Sequence, residues 1–192
     1  MSAYCIVGTF VPDAAAAAMP GRVARSLVTY RQHVNEQLET EICAVARYGA
    51  DVDWAALWQD FSQLILKEFP VLLAYNGSLG DAITPETTAA NWARDWQMPL
   101  LLLVPIDDGS LAIAQTTAFV GLARHAQAKV AGVILWGVEK PDEAALIEIR
   151  EQLQVLTQVP VIGFWLEQWL DEGDRKALAR AVADFDWERL GL

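Results

Sequence analysis

Leu100-Leu101-Leu102-Leu103-Val104, entered through Met98-Pro99, is an unbroken apolar run. Its length suits a strand buried on both faces. From Ala112 to Gln127 the chain has helical character, with Ile113, Phe119, Val120 and Leu122 set among small residues. Val130-Ala131-Gly132-Val133-Ile134-Leu135 is a second buried run. Strand, helix and strand in that order make a βαβ unit, whose parallel strands require helices on both faces of a sheet. The crossover is right-handed. The expected fold class is therefore α/β, a mostly parallel central sheet in a three-layer sandwich. Ligands of such sheets bind beyond the carboxyl ends of the strands, here Pro105 to Gly109 and Trp136 to Val138.

Residues 1–192 read as one domain, long enough for a sizeable core. The hydrophobic fraction of 54% is spread over short runs, none of which approaches the roughly 18 residues of a membrane span. The first residues lack the basic flank of a signal peptide and read as a first strand. Cys5 and Cys43 offer neither metal-ligand spacing nor a disulfide framework, which points to a reducing, cytoplasmic compartment. A net charge of −11 argues against nucleic-acid partners, because phosphate binding needs cationic surface. No membrane insertion is expected.

Tyr4-Cys5-Ile6-Val7 reads as the first strand, ending in Gly8-Thr9. A glycine-rich turn and helix after such a strand can cradle phosphate on backbone N–H groups, with a lysine as point charge. Here the turn continues Phe10-Val11-Pro12-Asp13 into Ala14-Ala15-Ala16-Ala17-Ala18, without lysine or a second glycine. Asp13 is a good N-cap but repels phosphate. Pro20-Gly21 is expected to break that helix, with a second running from Arg22 to about Glu41. Residues 36–53 read as a polar helical stretch in which Ile42, Val45 and Ala46 are apolar, followed by Tyr48-Gly49-Ala50-Asp51 as a turn. Asp53 caps a clearer helix with Trp54, Leu57, Trp58, Phe61, Leu64 and Ile65 at helical spacing. Their stripe reads as core packing, or else as a partner surface.

Val71-Leu72-Leu73-Ala74 is a buried strand, followed by Tyr75 to Asp81 as a turn. Thr84-Pro85-Glu86-Thr87 is expected to start the next helix, which carries Trp92 and Trp96 on one face. A charged helix runs from Lys140-Pro141-Asp142-Glu143 to about Leu156. Thr157 to Gly163 reads as a strand, and Asp171 to Phe185 as a last helix with Leu178 and Val182 inside.

Several segments in order resemble dethiobiotin synthetases, in particular a cyanobacterial-looking branch. They include Gly77-Ser78-Leu79-Gly80-Asp81, Ala90-Asn91-Trp92-Ala93-Arg94-Asp95-Trp96, Leu122-Ala123-Arg124, Thr157-Gln158-Val159-Pro160-Val161-Ile162-Gly163 and Trp187-Glu188-Arg189-Leu190. The resemblance is strongest from Trp54 to Leu190. It implies a P-loop-type sheet, usually homodimeric, that closes a ureido ring with carbon dioxide, ATP and magnesium. Such chemistry relies on lysine and metal to neutralise the transferring phosphoryl group.

Position by position, the resemblance also implies that this chemistry is gone. The family's phosphate loop, roughly G-T-D-T-x-x-G-K-T, laid on Gly8-Thr9 puts Phe10 at the acidic metal position. Ala14, Ala15 and Ala16 then stand for its glycine, lysine and threonine. The second lysine motif has no counterpart, the metal-binding glutamate aligns with Ala74, and the adenine-recognising asparagine aligns with Trp136. Phe164-Trp165-Leu166 replaces a proline-containing segment that borders the base.

These positions form a degenerate nucleotide site with no catalytic residue, no cofactor and no strong metal ligand. The expected role is a pseudoenzyme: a homodimer with a further protein partner, acting as a regulatory or interaction scaffold. Under that reading Phe10, Tyr75, Trp136 and Trp165 crowd the old crevice, and Trp136, Trp165 and Trp169 offer contact surface at strand ends. The alternative is an enzyme, either an ATP-dependent dethiobiotin synthetase with altered contacts or another ligase. For it, Asp107 and Asp108, with Asp81 on the neighbouring strand, are the weak metal candidates, though Asp107-Asp108-Gly109 also reads as a solvated turn. His33 and His125 read as helix-surface residues.

Overall fold

A computed structural model describes residues 3–8, 19–34, 41–45, 53–66, 71–138, 142–167 and 174–190. Among them a six-stranded parallel sheet is built from β1 (Ala3–Gly8), β2 (Glu41–Val45), β3 (Val71–Ser78), β6 (Leu100–Pro105), β7 (Val130–Gly137) and β8 (Val161–Leu166), in the order β2-β3-β1-β6-β7-β8. A small antiparallel hairpin, β4 (Ala82–Thr84) with β5 (Thr87–Thr88), lies after β3. The helices are α1 (Met19–Val34), α2 (Trp54–Ile65), α3 (Ala89–Asp95), α4 (Gly109–His125), α5 (Glu143–Thr157), α6 (Arg175–Arg180) and α7 (Trp187–Leu190).

The central unit follows the expected β6-α4-β7 order, with Leu102 paired to Val133 and Leu103 to Ile134 in parallel register. Leu100 to Val104 are all fully buried. Because side chains alternate across a strand, the strands feed two separate cores. Cys5, Val7, Leu73, Tyr75, Leu102, Val104 and Leu135 point into one, covered by α3, α4 and α5. Tyr4, Ile6, Leu72, Ala74, Leu101, Leu103, Ile134 and Trp136 point into the other, covered by α1 and by the segment from α6 to α7.

Several local expectations are corrected. Pro20 and Gly21 lie in the first turn of α1, where a proline's missing N–H costs nothing. The stretch expected to continue as polar helix contains β2, whose residues Glu41 to Val45 pair with Val71 to Tyr75. Sheet pairing overrides the weak local pattern there. The strand after Val71 runs on to Ser78 rather than turning at Tyr75. Thr84 to Thr87 is the turn of the hairpin, held by Thr84 Oγ1 and Thr87 Oγ1 at 2.6 Å. The helix begins at Ala89 instead, with Thr88 and Asn91 forming its capping box. Similarly, α5 runs through Thr157 to a left-handed Gln158 at φ 56°, so the last strand starts at Val161. The last helix is shorter than Asp171 to Phe185, being α6 followed by turns, although Leu178 and Val182 are buried as expected. Asp53 does cap α2, accepting from the N–H groups of Ala55 and Ala56 at 3.0 Å.

β8 departs from simple alternation. Its register against β7 shifts between Val161 and Gly163, the mark of a bulge. Ile162 and Trp165 consequently share the α1-side core although they are three residues apart. Two glycines make room for this. A Cβ on Gly132 would lie 2.3 Å from Ile162 Cγ1, and one on Gly163 would lie 2.2 Å from Phe185 Cδ1. Gly163→Ala should therefore destabilise the fold by about 1–3 kcal/mol through overpacking. Trimming the ring in Gly163→Ala/Phe185→Leu should cost less than the sum of the single changes. Urea unfolding of the four proteins measures this, and strict additivity would contradict the packing described.

Candidate functional site

The chain leaves β1 through α1 on one face of the sheet and leaves β6 through α4 on the other. β1 and β6 are neighbours, with Gly8 paired to Leu103. The carboxyl ends of these two strands therefore form the topological switch point, where an open α/β sheet has its ligand crevice. Of the residues predicted there, Gly8 is the last of β1 and also pairs with Ser78 of β3. Thr9, Phe10, Ala14, Ala15 and Ala16 lie outside the described residues, as does Trp169.

On the α3 side of the sheet, Tyr75 is fully buried and meets the edge of Trp92 at 5.6 Å between ring centroids. Its hydroxyl donates to Asp81 Oδ2 at 3.3 Å, and the same oxygen accepts from the Ser78 N–H at 3.0 Å. Gly77 sits inside this clasp: a Cβ there would lie 2.5 Å from Asp81 Oδ2 and 2.6 Å from the Tyr75 ring. The turn after β3 is thus packed on its own side chains, and its glycine serves that packing. Asn76 Oδ1, beside the clasp, is buried and has no hydrogen-bond partner among the described residues.

On the α1 side, Trp165 is fully buried and Trp136 is 6% exposed. They are register partners on β8 and β7. The Trp165 indole donates from Nε1 to Ser26 Oγ at 3.2 Å, and that hydroxyl donates to the Arg22 carbonyl at 3.2 Å. Arg22 also forms an ion pair with Glu167, just beyond β8. Together these contacts tie α1 to the carboxyl end of β8. Ala74 is a fully buried methyl in this same core, so its position presents no carboxylate to the crevice.

Two expectations change here. Tyr75 does not crowd one site with Trp136 and Trp165, because the sheet separates them. Trp165 is core rather than contact surface. The aromatic residues of α2 and α3 do pack together: Trp58 to Trp96 is 4.8 Å, Phe61 to Trp96 is 4.9 Å and Trp92 to Trp96 is 5.0 Å.

The weak metal candidates do not converge. Asp107 and Asp108 are exposed, and Asp108 Oδ1 accepts from the Leu111 N–H at 3.0 Å as the N-cap of α4. Asp81 is not on the neighbouring strand, because β1 lies between β3 and β6. Among the described residues no group of three or more His, Cys, Asp or Glu is placed to hold a metal ion. His125 is exposed in the last turn of α4, at the opposite end of the sheet. Burial pushes the Cys5 thiol up to about 12, so it stays protonated and is no nucleophile at neutral pH.

Sequence reasoning missed the Tyr75–Asp81 clasp and the Arg22–Glu167 and Ser26–Trp165 bridges. The last two join residues 145 and 139 positions apart, and no local pattern marks them. Loss of the clasp in Tyr75→Phe should cost about 1–2 kcal/mol. A double-mutant cycle with Asp81→Asn should show coupling of at least about 0.5 kcal/mol. Zero coupling in urea unfolding would mean that the two side chains are independent.

Comparison with known proteins agrees with this topology. A profile of the AAA domain family matches residues 26–164. An ATP-dependent dethiobiotin synthetase of Gloeothece citriformis is 36% identical over 149 residues, covering 77% of this chain and 65% of the relative. The enzyme of the same name from Synechocystis is 31% identical over 153 residues, covering 77% and 62%. The chain thus spans a little under two-thirds of the length of these curated relatives. The crystal structure of a ParA family ATPase from Chlorobium tepidum superposes with a TM-score of 0.54 over 95% of this chain and 91% of that one. At 6% identity it speaks for the fold alone. With a parallel sheet, a switch point at β1 and these relatives, the chain belongs to the AAA domain family of P-loop folds and is a homologue of dethiobiotin synthetases.

Proposed function

We propose that this chain keeps the dethiobiotin synthetase scaffold without its catalysis and acts through contacts with proteins, a second copy of itself among them. The observation that carries the reading is in the sequence: no lysine precedes Lys67. The β1 turn and the start of α1 therefore have no ammonium group for a phosphate. Removing one such stabilising contact costs about 3 kcal/mol of transition-state stabilisation. The buried methyl of Ala74 adds the loss of a metal ligand, and the residues present do not fit a magnesium nucleotide. The acidic composition disfavours nucleic acid, and no described helix is long and apolar enough to cross a membrane. The absence of a cysteine framework fits a cytoplasmic setting.

A second reading is ATP-dependent dethiobiotin synthesis with relocated contacts. Identities of 31–36% to proteins bearing that name favour it. Isothermal titration with magnesium and ATP separates the two. We expect no saturable binding at millimolar nucleotide. Magnesium-dependent binding in the micromolar range would establish the second reading and end the first.

A further inference from the structure

α6 carries Arg175, Lys176 and Arg180 and no acid, in a chain where acidic residues outnumber Lys and Arg by 25 to 14. Lys176 and Arg180 are one helical turn apart and share a face. That face borders a groove of about 380 Å³ between α6 and the end of α1, lined by Tyr30, Lys176, Ala179, Arg180 and Ala183. The two cations are the only charged residues in this lining. Both are exposed, and neither side chain has a hydrogen-bond or ion-pair partner among the described residues. Tyr30 is stacked on Trp187 with ring centroids 4.6 Å apart, which holds its ring in place as one wall. Ala179 and Ala183 add methyl groups.

The acids described near α6 are engaged or lie elsewhere. Asp174 caps α6, accepting from the Lys176 N–H at 2.8 Å. Asp186 is paired with Arg189. Asp184 lines a separate groove along β8, and Arg180 borders both grooves. Further positive charge lies at the same end of α1. Arg175 donates to Gln32 at 3.0 Å, a neutral partner that leaves its charge uncompensated. Arg31 is 8% exposed, and its Nε and Nη1 have no hydrogen-bond partner among the described residues. A guanidinium keeps its charge, and burial leaves that charge poorly screened.

We infer that this groove binds a small organic acid with a flat apolar body, its ring between Tyr30 and the two alanines and its carboxylate against Lys176 and Arg180. The volume suits a molecule of one or two rings. Charge complementarity selects the anion: a neutral ligand leaves both cations unused, and a cationic one is repelled. The aromatic and methyl walls select the apolar body, because a bare inorganic anion would leave them wet. Tyr30 lies eleven residues beyond Met19, about 17 Å along α1 from its first residue. The site is therefore separate from the strand-end crevice, and its binding depends neither on nucleotide nor on the protein contacts proposed for the chain.

Isothermal titration of the full chain with naphthoate, naphthamide and naphthylmethylammonium tests it, since the three share one ring system and differ in charge. Naphthoate should fill a single saturable site, with the amide about tenfold weaker and the ammonium weaker still. Lys176→Gln and Arg180→Gln should each weaken naphthoate by about two- to fivefold, and together by about tenfold. Both positions are exposed, and circular dichroism checks that the variants fold. Arg150→Gln, which removes a cation from the β8 groove, should leave naphthoate binding unchanged. No saturation at millimolar naphthoate, or equal affinity for acid and amide, would overturn the inference. A loss in Arg150→Gln as large as in the double variant would overturn the placement between α1 and α6.

Discussion

Burial of Leu100 to Val104 on both faces is the constraint on which the rest of the molecule depends. A strand apolar on every side chain cannot face water on either side. It must be flanked by strands and covered by helices above and below. β1 and β7 supply the flanks, and α1 and α4 supply the covers on opposite faces. Once those two helices diverge, the crevice at the ends of β1 and β6 follows from topology. The fold thus creates the place for a ligand whether or not the chain retains groups to bind one.

Among the described residues toward that side of the sheet, several charged groups are engaged in local structure. Asp81 accepts from a backbone N–H and a phenol, Asp108 caps its own helix, and Arg22 pairs with Glu167. In an active phosphoryl-transfer site such groups would be directed at the substrate and metal. Here their hydrogen bonds are turned to holding the turn after β3, the start of α4 and the α1–β8 junction. That use of charged groups supports the proposed loss of phosphoryl transfer, which rests on the missing lysine. The names of the relatives pull the other way, and the conflict is chemical rather than architectural.

The parts legible in the sequence were those set by strong local rules. The βαβ unit, the cap at Asp53 and the Trp92–Trp96 face all follow from periodicity or short-range hydrogen bonding, whereas the Asp108 cap of α4 appears only in the structure. The parts that were not legible depend on long-range pairing. β2 is helical in local character and becomes a strand only against Val71 to Tyr75. The hairpin at Thr84 to Thr87 has the same residue types as a capping box, and the true cap lies four residues beyond Thr84, at Thr88. Placing Tyr75 with Trp136 ignored strand alternation: Ala74 and Trp136 face one core, so Tyr75 must face the other. The relative phase of β3 and β7 is set by the registers of β1 and β6 between them. The bulge that turns Trp165 toward α1 leaves no trace in the sequence beyond Gly132 and Gly163.

The claim that the crevice has been given over to structure is tested most directly by hydrogen exchange with and without millimolar magnesium and ATP. The amides to follow are those of Val7, Gly8 and the first turns of α1, which border any phosphate site. The account predicts unchanged exchange across them, with the same protection in both samples. Slower exchange at Gly8 and the start of α1 on adding nucleotide would contradict it, and would place a working phosphate site where the sequence carries no lysine.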